Sequence, residues 1–68
     1  MTLPEAITYA LVRCNGGLCT EQIAALINRY QWHVRKDGQP VTSAQVYATV
    51  MRYPAQFCKA EGRIMLMI

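Results

Sequence analysis

Carboxylates are scarce in this chain: Glu5, Glu21, Asp37 and Glu61 are the only acids in 68 residues. They stand far apart in the sequence and form no pair of the kind used for general acid–base chemistry. Histidine occurs once, at His33, with no obvious acid partner, and no glycine loop of the phosphate-cradling kind is present. A chain this short also encloses little pocket volume. The expectation is a protein that is not an enzyme. No apolar run approaches the roughly 20 residues of a membrane span. No basic segment precedes an apolar stretch at the N-terminus, so no signal peptide is read. These absences predict a cytoplasmic protein. Repeats, linkers and low-complexity stretches are also lacking, and the length predicts a single domain over residues 1–68.

What is present is apolar: 53% of residues are hydrophobic and 16% charged, a balance that favours folding over disorder. So short a chain buries only a small core. The net charge is +3, and its placement tells more than its size. Between Arg29 and Arg63 lie Arg29, Arg35, Lys36, Arg52, Lys59 and Arg63, against only Asp37 and Glu61. Such a region suits an anionic partner such as DNA, and equally a solvated surface. Cys14, Cys19, Cys58 and His33 match a Cys₃His zinc set by residue type, but only the first two are close in sequence. Cys14 continues an apolar helical stripe, which predicts a buried thiol. An odd cysteine count in an intracellular chain predicts reduced thiols. No metal and no cofactor are expected.

Thr2 and Glu5 form a capping box that opens a first helix, with Leu3, Ile7, Ala10, Leu11 and Cys14 as its stripe. Asn15-Gly16-Gly17 ends it. Leu18-Cys19 is long enough for a two-residue strand. Thr20 is the expected N-cap of a second helix, with Ile23, Ala24, Ile27 and Tyr30 as its stripe and Leu26 widening it. The connection over residues 31–41 is long for a compact domain, and long loops are often functional. Its Trp32 is expected at the edge of the core, and His33 on the surface.

The third helix start is specified redundantly in "VRKDGQPVTSAQV". Thr42 and Gln45 form a second capping box, and Val41 and Val46 occupy the positions of a hydrophobic staple. The helix is expected over residues 43–53, stopped by Pro54. Val46, Tyr47, Val50 and Met51 point to one side, and Gln45, Ala48, Thr49 and Arg52 to the other. Phe57 to Ala60 and Arg63 to Leu66 flank Glu61-Gly62, which reads as a β-hairpin pairing Lys59 with Ile64 and Phe57 with Leu66. Phe57, Ile64, Leu66 and Ile68 then face the core, while Cys58, Arg63, Met65 and Met67 face outward. Two outward methionines on one sheet face read either as ordinary exposed apolar surface or as an interface, through a weak homodimer, a protein partner or the rest of a longer chain.

The order is helix, short strand, helix, long turn, helix, hairpin. It predicts an α+β, mainly helical fold, a winged helix-turn-helix with the C-terminal hairpin as wing. "GGLCTEQIAALIN", "RKDGQPVTSAQVYATV" and "YPAQFCKAEGRIML" carry a further likeness over nearly the whole chain. In them a small-residue turn precedes the second helix, and a Gly-x-Pro segment precedes the Thr cap. An aromatic-Pro pair ends the third helix, and a Phe opens the wing. In these features the chain resembles the HARE-type winged helix-turn-helix family. That family is found in restriction endonucleases, in chromatin proteins of the additional-sex-combs type and in the delta subunit of some bacterial RNA polymerases.

The resemblance implies binding of double-stranded DNA, in a small regulator or in the recognition module of a restriction, modification or transcription system. Such a protein would be nucleoid-associated if bacterial. Carried over, it makes Gln45, Thr49 and Arg52 the groove-facing residues, since Gln pairs with adenine and Arg with guanine. Arg35, Lys36 and Lys59 would meet phosphates, which give affinity without sequence information. The wing tip, short and opening on Glu61, is not expected to be a main DNA contact. The other class of function is a protein-interaction module on the same fold, such as a polymerase-associated factor or a small inhibitor of a host or phage system.

Overall fold

The computed structural model describes residues 1–14 and 17–67. Three helices, α1 (Leu3–Cys14), α2 (Thr20–Tyr30) and α3 (Ser43–Arg52), precede two strands, β1 (Phe57–Ala60) and β2 (Arg63–Leu66). Thr2 caps α1: its backbone N–H donates to Glu5 Oε1 at 2.9 Å, and the Glu5 N–H reaches Thr2 Oγ1 at 3.4 Å. The helix buries Ala6, Ile7, Ala10 and Leu11. Cys14 departs from expectation and is exposed. Its angle places it on the stripe, but it is the last residue of α1, and the last buried position on the helix is Leu11. Of the expected stop, Asn15 and Gly16 lie outside the described residues.

Leu18 forms a one-residue antiparallel bridge with Ile64. The Leu18 N–H donates to the Ile64 carbonyl at 3.2 Å, and the Ile64 N–H to the Leu18 carbonyl at 2.7 Å. This bridge moves the start of α2. It holds the chain extended through Cys19, so Cys19 (φ −76°, ψ 162°) is the N-cap and Thr20 the first helical residue. Gln22 supports the start, its Oε1 accepting from the Cys19 N–H at 3.1 Å. Ile23, Ala24 and Ile27 are buried, and Leu26 packs against them in part. Tyr30 turns outward, contrary to the stripe. At the C-terminus Gln31 adopts a left-handed conformation (φ 53°), which lets the Trp32 N–H reach the Ile27 carbonyl at 3.1 Å.

Asn28 closes the long connection. Its Nδ2 donates to the Val41 carbonyl at 2.9 Å, and its Oδ1 accepts from the Val41 N–H at 2.8 Å. One side chain thus satisfies both backbone groups of Val41, which buries its own side chain in the core. Within the loop, Arg35 to Gly38 form a turn in which the Gly38 N–H donates to the Arg35 carbonyl at 3.1 Å. Asp37 braces the turn by accepting from the Gln39 N–H at 3.0 Å.

The second capping box forms as expected: Gln45 N–H to Thr42 Oγ1 and Thr42 N–H to Gln45 Oε1, both at 3.2 Å. Val41 and Val46, the two ends of the staple, are both buried. β1 and β2 pair with Phe57 opposite Leu66 and Lys59 opposite Ile64. The turn between them uses Glu61 (φ 54°) and Gly62 (φ 77°), the positive dihedrals a two-residue hairpin loop of type I′ requires. With Leu18 on its free side, β2 lies in the middle of a small sheet. This is the topology of a winged helix-turn-helix. Ile7, Ile23, Ile27, Val46 and Ile64 are the largest fully buried side chains, so every helix and the central strand contribute to one core. Trp32 and Leu66 pack at its edge, and Ile68 lies outside the described residues. Among the described residues no helix is long and apolar enough to cross a membrane.

Candidate functional site

The approach of α3 is fixed from three sides: by its capping box, by the Val41–Val46 staple and by Arg35. Arg35 Nη1 donates to Gln45 Oε1 at 3.2 Å, while Nη2 pairs with Asp37 Oδ2 at 2.7 Å. The guanidinium therefore ties the loop turn to the first turn of the helix. Gln45 uses its side-chain oxygen for the cap and for Arg35, and is half-buried. Thr49 is also half-buried, and its hydroxyl donates to the Gln45 carbonyl at 2.8 Å. The structure does bring Gln45, Thr49 and Arg52 to one side, where they line a shallow depression with Leu3 and Pro4 of α1. Two of the three, however, have polar atoms engaged within the chain.

The open face of α3 is rotated from the expected one. Val46 and Val50 are buried, but Tyr47 (41% exposed) and Met51 (56% exposed) are not. Helical spacing gave their angles to one another without saying which arc the core would cover. The exposed residues of α3 are Ala44, Tyr47, Ala48, Met51 and Arg52. This face is mostly apolar, two alanines beside Tyr47 and Met51, and cations lie near its start, its end and its flank. Lys36 is exposed in the turn that Arg35 ties to the start of the helix, and Arg52 is exposed at its end. Lys59 sits on the core-facing side of the hairpin opposite Ile64, but its Nζ extends to 4.6 Å from the centre of the Tyr47 ring. Such a contact holds an ammonium in place by about 0.5–1 kcal/mol at an exposed site.

On the outward wing face, Met65 (38% exposed) pairs with Cys58, and Met67 is also exposed. Gly17 lies beneath: a Cβ there would stand 3.1 Å from Met65 Cγ and 3.1 Å from Arg63 Cβ. Glycine thus gives both side chains their seat. Among the described residues no three His, Cys, Asp or Glu side chains converge as a metal site, and His33 Nδ1 donates to the Met1 carbonyl at 2.9 Å.

A second cluster has no signature in the sequence, because its parts come from separate segments. Tyr9 of α1, Tyr30 of α2 and Trp32 of the loop meet on the surface. The Tyr30 and Trp32 rings stack at 5.2 Å with 17° between planes, and Tyr9 meets Trp32 edge-on at 4.8 Å. Arg13 and Arg29 each lie 5.4 Å from the Tyr30 ring centre.

The fold and the exposed third helix define the class, a winged helix-turn-helix domain. No family model, curated protein or solved structure matches the chain.

Proposed function

We propose that this chain is a DNA-binding winged helix module that offers α3 to the major groove and does no chemistry of its own. The supporting observation is one uncovered helix face on which Ala44 and Ala48 are exposed, with Lys36 in the turn tied to its start, Arg52 at its end and Lys59 beside Tyr47. Small side chains let the helix backbone approach base edges closely, and alanine makes apolar contact with thymine methyl groups. Arg52 is the base-reading residue at the end of the face. Lys36 and Lys59 meet phosphates. Arg35, Gln45 and Thr49 act at one remove, by holding the helix at its angle. Such a module serves as a small regulator or as the recognition part of a restriction, modification or transcription system.

A titration with random-sequence duplex at two salt concentrations tests this reading. Two phosphate contacts predict a loss of affinity of about 12-fold between about 50 and about 200 mM salt. Absent or salt-independent binding refutes it. One observation favours a protein-interaction module instead: Tyr47 and Met51 put apolar surface on the same face, and methionine suits adaptable protein contacts. Salt-independent behaviour would favour that second reading.

A further inference from the structure

We propose that the Tyr9–Tyr30–Trp32 patch is a second docking surface, and that its occupant is an acidic protein segment lying along α1. The patch shares no residue with the open face of α3. Its composition is that of interface hot spots, where Trp, Tyr and Arg are enriched. Tyr9 is 43% and Tyr30 45% exposed, so the rings are available to a partner. Arg13 contacts both the Tyr30 and the Trp32 ring, and Arg29 contacts Tyr30. Contact with the rings holds the guanidiniums in position while leaving their N–H groups for an acceptor. The one ion pair among the described residues is Arg35 with Asp37, so neither Arg13 nor Arg29 has a carboxylate within reach there. A partner that brings carboxylates completes both.

The patch continues into a mostly apolar groove of about 440 Å³, lined by Met1, Pro4, Thr8, Tyr9, Val12 and Tyr53. Tyr9 belongs to both. The groove suits an aliphatic or aromatic side chain, and the patch beside it suits acids. The direction is set as well. Glu5 borders the groove near the start of α1, and Arg13 lies eight residues further on, about 12 Å along the helix at 1.5 Å per residue. The acids of the occupant therefore lie toward the C-terminal end of α1, away from Glu5. A single-stranded nucleic acid fits less well. Tyr30 and Trp32 already stack on each other and carry Arg13 besides, which leaves them poor platforms for a base. Glu5 would also repel a run of phosphates.

Trp32 is the only tryptophan, so its emission reports directly on the patch. Random peptides of about ten residues, enough to run the length of α1 at about 3.3 Å per residue, are selected against the full chain. The best of them and an oligothymidine are then titrated while Trp32 emission is followed. The selected peptides should place Asp or Glu to one side of an apolar residue and should change the emission. Arg13→Gln and Arg29→Gln, both good helix formers and checked by melting, should each weaken binding at least about fivefold. The joint reversal Arg13→Glu with Arg29→Glu should select basic peptides instead. Arg52→Ala should leave peptide binding unchanged, which separates this surface from the α3 reading. Peptides without acidic bias, or acidic peptides indifferent to both Gln variants, would overturn the proposal. So would an oligothymidine response abolished by the same variants, which would assign the patch to nucleic acid.

Discussion

Arg35 and Lys36 are neighbours of like charge with different tasks. Arg35 is bonded to Gln45 and Asp37, whereas Lys36 is exposed at the tip of the turn. Under the DNA reading, Lys36→Ala should weaken all duplexes about equally and lower the salt slope by about 1. Arg52→Ala should cost about 1–3 kcal/mol and relax base preference. Competition titrations with two unrelated duplexes check both. Unchanged affinity in both variants would remove α3 from the interface. The adjacency of these two cations is plain in the sequence, but their division of labour is not. It depends on where Gln45 points, and that follows from the cap. Tyr47 and Met51 teach the same lesson. Their spacing from Val46 is visible at once, whereas the arc that is buried depends on how α3 packs against α1 and α2.

At the scale of elements, the two capping boxes and the hairpin turn, whose partners lie within a few residues, read true. Thr2 with Glu5, Thr42 with Gln45, and the pairing across Glu61-Gly62 all involve short separations, and all form as their spacing predicts. Cys19 displaced Thr20 as a cap because a strand bridge 46 residues away (64 − 18) holds it extended. Thr42→Ala should destabilise the domain by about 0.5–2 kcal/mol in chemical melts. Gln45→Ala should also destabilise it, since the same oxygen serves the cap and Arg35.

The hairpin turn offers a gain. Glu61 bears a left-handed dihedral that costs an ordinary residue about 1–2 kcal/mol and asparagine less. Glu61→Asn should therefore raise the melting temperature by about 4–8 °C for each kcal/mol relieved. A lower melting temperature would show that Glu61 makes a compensating contact.

The start of α1 responds to acid. The Thr2 backbone N–H, then its hydroxyl, hold the Glu5 carboxyl below its ordinary value of 4.5. The fold prefers the ionised form, so this stabilisation is full above pH 4.5 and is lost as pH falls through the lower folded value. Glu5→Gln should flatten the acid limb of thermal stability, followed by helical circular dichroism. An unaltered limb would show that other carboxyls carry it.

For the molecule as a whole, the outward wing face is a patch of exposed apolar surface. Met65 and Met67 present apolar surface there, with Met65 seated against Gly17. Weak dimerisation through this face should be visible in sedimentation at high concentration. Met65→Lys with Met67→Lys should abolish it without loss of fold. A wild-type monomer under those conditions would rule it out. The architecture was legible because helix caps and a hairpin turn punctuate the chain. The Tyr9–Tyr30–Trp32 cluster was not, because no spacing rule links three segments that meet only after folding. The Leu18–Ile64 bridge has one more consequence, for the newborn chain. Synthesis delivers the N-terminal end first, yet the central strand of the sheet and one of the largest core side chains arrive with Ile64. The three helices must therefore wait, incompletely packed, until that residue clears the ribosome, and a product of translation halted before it has no means of closing its core.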